Sequence, residues 1–202
     1  VARAVSRRAR RDADVVNVRA VLHVEQHGSC IMVLRGDRIA FCREIPVGGE
    51  TLDLAVATRL SVSVEAASVL RAHRMAAVRG NAPAVDVAAD EAAQAATRAT
   101  IDALAGEVAL CLRYYGVTFR GGQPGRVVLS GPQSGEPRLD EIIEQTTRAE
   151  VVNFDRELPV ATHRPVGKRP AQEFASWVVA FGLACRPRFF VEGTVAGGRV
   201  AA

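Results

Sequence analysis

The chain has 202 residues, of which 49% are hydrophobic and 24% are charged, and its formal net charge is +4. These proportions are typical of a globular protein with one good-sized core or two small subdomains, and they exclude wholesale disorder. Lys168 is the only lysine among 26 basic residues, and aromatic residues make up only 5%, too few for a base-stacking platform that binds nucleic acid.

The first part of the chain predicts a basic helical segment followed by strands. Residues 1–17 carry several arginines among alanines, which predicts either a solvated helical face or a contact for an anionic partner. Gly36-Asp37 is a two-residue link, so the second and third strands are predicted to be antiparallel neighbours. The three predicted strands are Val21–Glu25, Cys30–Leu34 and Arg38–Ile45.

Helical spacing dominates the middle of the chain. Leu52, Val56 and Leu60 form one apolar stripe and predict a helix after the Gly48-Gly49 break. Ser63 is predicted to cap a second helix that ends at about Met75. After a loop over 79–86, apolar residues at every third or fourth position predict one long amphipathic helix over 88–119.

Shorter alternating elements complete the pattern. The predicted elements are a strand at Val127–Ser130, a helix at Leu139–Arg148, a strand at Val151–Phe154, a Pro-rich loop over 156–170 and a helix at Glu173–Cys185. The order β-β-β-α-β-α-β-α predicts an α/β fold with a mixed sheet, helices on both of its faces and a small helical insertion. Four cysteines stand singly in apolar stretches, at positions 30, 42, 111 and 185, and are predicted to be reduced and buried.

Four stretches in chain order resemble the PilM and FtsA proteins, which are bacterial actin-like ATPases of pilus assembly and cell division. Arg43–Gly49 is similar to their R-x-I-P-x-G-G stretch, and Leu60–Ala67 is similar to the helix pair that follows it. Arg113–Tyr115 resembles the end of the long helix of PilM, and Ala180–Arg186 resembles its closing A-x-G-L-A-L-R helix. FtsA proteins carry in addition a larger insertion after the third strand and a C-terminal membrane-targeting helix. Neither feature is visible in this sequence, so PilM fits better. The resemblance covers residues 15–186.

This resemblance implies a ribonuclease-H-like half-domain of the actin-like ATPase fold. It divides the chain into a basic helical segment (1–17), subdomain 2A (18–50 and 88–186), a small helical subdomain 2B (51–87) and a loose C-terminal tail (187–202). The first half of the family is absent from these 202 residues. Because Val1 is not a methionine, either an unusual start codon or a missing upstream segment is expected, and both a natural half-protein and a truncated fragment remain open.

The resemblance also implies an ATP site whose motifs are degenerate here. The D-x-G-x-x-x-T loop matches His23–Ser29, where His23 replaces the aspartate that reaches the metal and Glu25 replaces the glycine. A carboxylate at Glu25 repels phosphate at short range. In this loop only the hydroxyl of the motif's threonine is kept, and Ser29 supplies it. A pair of histidines, His23 and His27, is expected to be exposed in a turn rather than to bind a metal.

Two further motifs depart from the family pattern. The ribose-contacting glutamate and lysine of A-E-x-L-K correspond to Ser68 and Arg71, so the carboxylate is lost and the positive charge is kept. The adenosine motif L-S-G-G keeps Gly131 but has Pro132 in place of its second glycine, which removes an N–H donor. We therefore expect no tightly bound cofactor and no catalytic residue, although ATP with magnesium would bind if the site is functional.

Together these features predict a non-catalytic scaffold of the inner-membrane assembly platform of a type IV pilus, a type II secretion system or a competence system. The resemblance implies a cytoplasmic protein that reaches the inner membrane through partners, chiefly the cytoplasmic tail of a bitopic PilN-like protein, and it leaves self-association open. Neither nucleic-acid binding nor direct membrane insertion is expected. The alternatives are a divergent ATP-binding ATPase completed by a missing N-terminal half, and a truncated product with no role.

Overall fold

The computed structural model describes residues 1–2, 5, 18–36, 38–119, 122–154, 178–180 and 182–183. The elements in these ranges are β1 Val18–Val24, β2 Ser29–Arg35, β3 Arg38–Ile45, α1 Gly49–Leu60, α2 Val64–Val78, α3 Val87–Thr118, β4 Arg126–Ser130, α4 Leu139–Thr147 and β5 Glu150–Asn153. Each strand and helix predicted between residues 18 and 154 is thus confirmed, with small shifts at the ends. Most of the basic segment, the Pro-rich loop, most of the predicted helix Glu173–Cys185 and the tail lie outside the described residues.

The strands form one mixed five-stranded sheet in the order β3-β2-β1-β4-β5. The pairs β1–β2 and β2–β3 are antiparallel, as the two-residue link at Gly36 predicts. The pairs β1–β4 and β4–β5 are parallel. The three helices α1 to α3 lie between β3 and β4 in the chain, and α4 forms the crossover from β4 to β5. Three meandering strands followed by two parallel additions match the predicted mixed sheet.

Helical residues cover both faces of this sheet. On one face the side chains of Leu22, Ile31 and Leu129 pack against the apolar stripe of α3, which includes Leu104 and Val108. On the other face Val21, Met32 and Val128 contact Val5 and Val178, both of which lie in helical residues. Because β1 and β2 are covered on both sides, most of their side chains are apolar and buried, and apolar residues do not alternate with polar ones along them.

The helices α1 and α2 form a pair that packs against α3. Leu52 and Val56 of α1 are buried, as the apolar stripe predicts. The predicted cap of α2 is confirmed, since Ser63 Oγ accepts a hydrogen bond from Ala66 N over 3.2 Å. The division of the chain into subdomains 2A and 2B stays a prediction. Among the described helices, none combines the length and the apolar character that crossing a bilayer requires.

The prediction that the cysteines are buried is wrong for two of them. Cys111 is buried in the core, whereas Cys42 is exposed on the edge strand β3 and Cys30 on β2 is half-buried. The reason is the position of β3 at the edge of the sheet, where only Ile45 is fully buried. Cys185 lies outside the described residues.

Candidate functional site at the carboxyl edge of the sheet

Three connections meet at the edge of the sheet where β1 and β4 end. His23 near the end of β1 is in register with Ser130 at the end of the parallel strand β4. On the other side of β1, Ser29 begins β2 opposite Ile45, the last residue of β3. The turns that follow β1, β3 and β4 therefore lie side by side. In open α/β sheets this edge, beyond the carboxyl ends of parallel strands, is where ligands bind.

Two glycines allow these turns to approach one another closely. A Cβ atom on Gly48 would lie 2.5 Å from the backbone nitrogen of Gly28, so the β3–α1 connection fits against the β1–β2 turn only without a side chain. Gly131 has a φ of 99° and a Cβ there would collide with the carbonyl oxygen of Val24. This positive φ is one that L residues rarely adopt. Gly131 thus has a structural role in this chain.

His23 lies at the centre of the edge and is buried, so the expectation of an exposed turn histidine is wrong for it. Its Nε2 lies 2.8 Å from Glu25 Oε1 and its Nδ1 lies 3.0 Å from Ser130 Oγ. Burial lowers the pKa of His23 from its ordinary value, although the Glu25 carboxylate opposes this shift. Because a carboxylate only accepts, the neutral ring carries its hydrogen on Nε2, and Nδ1 accepts from the Ser130 hydroxyl. His27 is exposed, as predicted.

A cleft of about 500 Å³ opens beside this group. Its lining includes His23, Glu25, Ser29, Cys30 and Glu44. Glu25 and Glu44 are exposed carboxylates, so the cleft carries negative charge, which disfavours a phosphate. The Ser29 hydroxyl is buried and donates its hydrogen to the carbonyl oxygen of Val47. The Ser29 hydroxyl therefore holds the β3–α1 connection.

Arg71 lies behind the edge in a buried ionic network. Its guanidinium donates to Asp53 Oδ1, to the Gly49 carbonyl, to Gln133 Oε1 and twice to Glu136 Oε2. These five hydrogen bonds use all five N–H donors that an arginine has. The side chain is only 2% exposed. Arg71 thus has no donor left for the ribose contact that the resemblance implies.

A second arginine and two amides extend the network. Arg74 donates to Asp90 Oδ1 over 2.6 Å and to Glu136 Oε1 over 3.3 Å, so both oxygens of Glu136 accept from arginines of α2. The Gln26 amide donates to Asp53 and accepts from Gln133. The network therefore joins α1, α2 and α3 to the β1–β2 turn and to the turn after β4.

The other sequence-predicted positions do not join one pocket. Ser68 is half-buried on α2, and Pro132 is exposed in the turn after β4. His23, Glu25 and Ser29 line the cleft together, whereas Arg71 lies in the ionic network. Within the described ranges, no three His, Cys, Asp or Glu residues are arranged to hold a metal ion.

Sequence reasoning missed the residues that pair with these positions. Ser130 belongs to the stretch compared with the L-S-G-G motif, and nothing in that stretch indicates that its hydroxyl orients His23. Asp53 and Glu136 are buried although they lie in a helix and a turn that read as ordinary surface elements. One signal was available: Asp53 adjoins the apolar stripe residues Leu52 and Val56, and a carboxylate on that side of a helix requires a buried partner.

Solved structures of actin-like proteins are similar to this chain. The match to a "PilM-PilN type IV pilus biogenesis complex" has a TM-score of 0.70 at 20% identity and covers 92% of this chain and 51% of that one. The ethanolamine utilization protein EutJ from Carboxydothermus hydrogenoformans matches with a TM-score of 0.58 at 17% identity, covering 87% and 54%. MreB 5 of Spiroplasma citri bound to AMPPNP matches with a TM-score of 0.60 at 9% identity, covering 91% and 56%.

These likenesses show the fold, which is a half-domain of the actin-like ATPase fold as predicted. The chain spans about half the length of each of these structures. No protein-family model and no curated protein sequence matches it.

Proposed function

We propose that this chain is a non-catalytic scaffold of the inner-membrane assembly platform of a type IV pilus or a related secretion or competence system. The similarity to a PilM–PilN pilus biogenesis complex supports the pilus context. By the same similarity, the partner is a PilN-like membrane protein with a short cytoplasmic tail, and the scaffold is cytoplasmic and attached to the membrane through that protein.

The saturated guanidinium of Arg71 carries the non-catalytic part of this proposal. A nucleotide that used Arg71 would have to displace Glu136, Asp53 or Gln133, and so leave a buried charge or amide without its partner. Three other features point the same way: the Ser29 hydroxyl is committed to Val47, the cleft carries two glutamates, and Pro132 lacks an N–H.

One observation favours the second candidate, a divergent ATP-binding ATPase. MreB 5, which shares the fold, is described as bound to AMPPNP. Under this alternative, the nucleotide would bind between the edge of this sheet and a second half of the fold, because this chain covers only 56% of that structure.

Equilibrium binding of a fluorescent ATP analogue with magnesium separates the two candidates. The scaffold proposal expects no saturable signal at micromolar protein concentrations, and no change when unlabelled ATP is added. Saturable binding that unlabelled ATP displaces and that Ser29→Ala weakens would contradict it. Ser29→Ala removes a single hydrogen bond, to the Val47 carbonyl, whereas a side chain at Gly131 collides with the backbone of Val24 and would confuse misfolding with loss of binding.

The partner is tested separately, so that the two parts of the proposal can fail independently. A labelled peptide with the sequence of a PilN-like cytoplasmic tail is titrated with the 202-residue chain and followed by fluorescence anisotropy. A scrambled peptide of the same composition is the control. Equal binding of both peptides, or of neither, would count against this chain as the part that holds the tail.

A further inference from the structure

Two cysteine sulfurs are in contact across the edge of the sheet. Cys30 on β2 and Cys42 on β3 have their Sγ atoms 3.3 Å apart. In the strand register Cys30 lies opposite Glu44 and Cys42 lies opposite Met32, so the two thiols form a diagonal pair between neighbouring strands. The sulfurs of a disulfide are about 2.0 Å apart, so these two sulfurs lie little more than about 1 Å beyond bonding distance.

The two thiols differ in access to solvent. Cys42 is exposed, so a small oxidant in solution reaches it directly. Cys30 is half-buried and borders the cleft beside Ser29 and Glu44. Burial is the largest cause that raises the pKa of Cys30 to about 12, and the hydrogen bond with Cys42 is the second. This thiol therefore stays protonated in the resting protein. Cys111 is enclosed in the core on the α3 side of the sheet and serves as an internal reference.

We propose that Cys30 and Cys42 form a reversible oxidation site that closes to an intramolecular disulfide when the protein meets a peroxide. The Cys42 thiolate attacks a peroxide oxygen, the O–O bond breaks, and Cys42 becomes a sulfenic acid while water leaves. Cys30 then gives its proton to the departing hydroxide as its sulfur attacks the Cys42 sulfur, so that the S–O bond breaks and water leaves. In total, two thiols and one hydrogen peroxide give one disulfide and two waters.

The disulfide would change the edge of the sheet next to the cleft. It would join the edge strand β3 covalently to β2 and remove the Cys30 thiol from the lining of the cleft. Disulfides that are exposed are the readily reduced ones, so a dithiol reductant would reopen this bond. This inference does not depend on the proposed function, because it rests only on the two sulfurs and their strands.

Peptide mapping after mild oxidation tests the proposal. The full chain, with Cys185→Ser to simplify the pattern, is treated with hydrogen peroxide at low protein concentration, alkylated and digested with trypsin. The arginines at positions 35 and 38 place Cys30 and Cys42 on separate peptides, 20–35 and 39–43. The expected product is this pair of peptides joined and lighter by two hydrogen atoms, lost on treatment with dithiothreitol, while Cys111 is recovered as a free thiol.

A matched variant and a redox titration make the outcome decisive. Cys42→Ser is expected to abolish the linked pair, whereas Cys111→Ser is expected to leave its yield unchanged. Against glutathione, an intramolecular disulfide titrates with the square of the reduced glutathione concentration, whereas a mixed disulfide titrates with its first power. Recovery of stable glutathione adducts on Cys42, of cross-links between chains, or of free Cys30 and Cys42 after oxidation would each overturn the proposal.

Discussion

Arg71 and Glu136 are 65 positions apart in the chain, yet Nε and Nη2 of the arginine both donate to Oε2 of the glutamate, over 3.0 and 2.8 Å. The glutamate side chain is fully buried, and the arginine side chain is 2% exposed. Because Arg74 binds the other oxygen of Glu136, this one carboxylate balances parts of two buried positive charges. It therefore fastens α2 to the turn that follows β4.

Removing the charge of Glu136 tests this relationship. Glu136→Gln keeps the shape of the side chain but leaves Arg71 and Arg74 without their shared carboxylate, so we expect the free energy of unfolding to fall by about 3–5 kcal/mol. Urea denaturation followed by circular dichroism measures the loss. Glu141→Gln is the control, because its pair with Arg138 is exposed and such pairs contribute about 0–1 kcal/mol. Equal losses in the two variants would show that the buried network is not stabilising.

The pH dependence of stability should report the buried histidine. Since the pKa of His23 is lowered in the folded state, the unfolded chain binds the proton more readily. The contribution of the neutral His23 to the free energy of unfolding is therefore fully present above its ordinary pKa of 6.5. It is lost as the pH falls below that value towards the pKa of the folded state. Below pH 6.5, His23→Gln should show a shallower decline of the unfolding free energy with falling pH than the unsubstituted chain.

The control for this experiment is the second histidine of the same loop. His27 has a side chain that is 88% exposed, so His27→Gln should retain the pH profile of the unsubstituted chain. Denaturant unfolding at several pH values between 7.5 and 5 gives the profiles. Identical slopes for His23→Gln and the unsubstituted chain would contradict the assignment of His23 as a buried neutral base.

Two glycine substitutions should have opposite effects. Gly131→Ala places a Cβ against the backbone of Val24 at a φ of 99°, and we expect a loss of about 1–3 kcal/mol. Gly106→Ala lies inside α3, where the added methyl meets no atom within 4 Å, and we expect a gain of about 0.5–1 kcal/mol from helix propensity. Thermal unfolding compares the two. A tolerated Gly131→Ala would mean that the turn after β4 can move away from β1.

The cap of α2 offers a local test. Ser63→Ala removes the acceptor for Ala66 N and should cost about 1 kcal/mol. Ser68→Ala in the same helix removes a hydroxyl at a position that the family resemblance linked to ribose. It should have little effect or stabilise slightly, because alanine is the best helix former. A larger loss at Ser68 than at Ser63 would indicate that the Ser68 hydroxyl has a partner of its own.

The elements of the fold could be predicted because their signals are local. The apolar stripe through Leu52 and Val56 and the cap at Ser63 depend on residues within a few positions of one another, and the structure confirms them. The mixed sheet followed from their order, because the Gly36 link forces an antiparallel pair and helical crossovers permit parallel ones. Register and burial at the sheet edge did not follow, so Cys42 was wrongly predicted to be buried.

The candidate site was predictable only as a set of motif positions. His23, Glu25 and Ser29 are close in sequence and do line one cleft. Their partners come from elsewhere: Ser130 orients His23 from 107 positions away, and Glu136 meets Arg71 from 65 positions away. A hydroxyl or a carboxylate in a predicted turn carries no local sign of such a partner.

Local chain chemistry thus determines which segments of this protein form strands and helices, although not the last residue of each, since backbone conformation and capping depend mainly on neighbouring residues. The state of its polar groups was decided by tertiary packing. Burial removes water from His23 and from Arg71, and the free energy of each group then depends on which partners the fold brings within hydrogen-bonding distance. In this chain those partners are Ser130 and Glu136, which the parallel pairing of β4 with β1 carries to the same edge of the sheet.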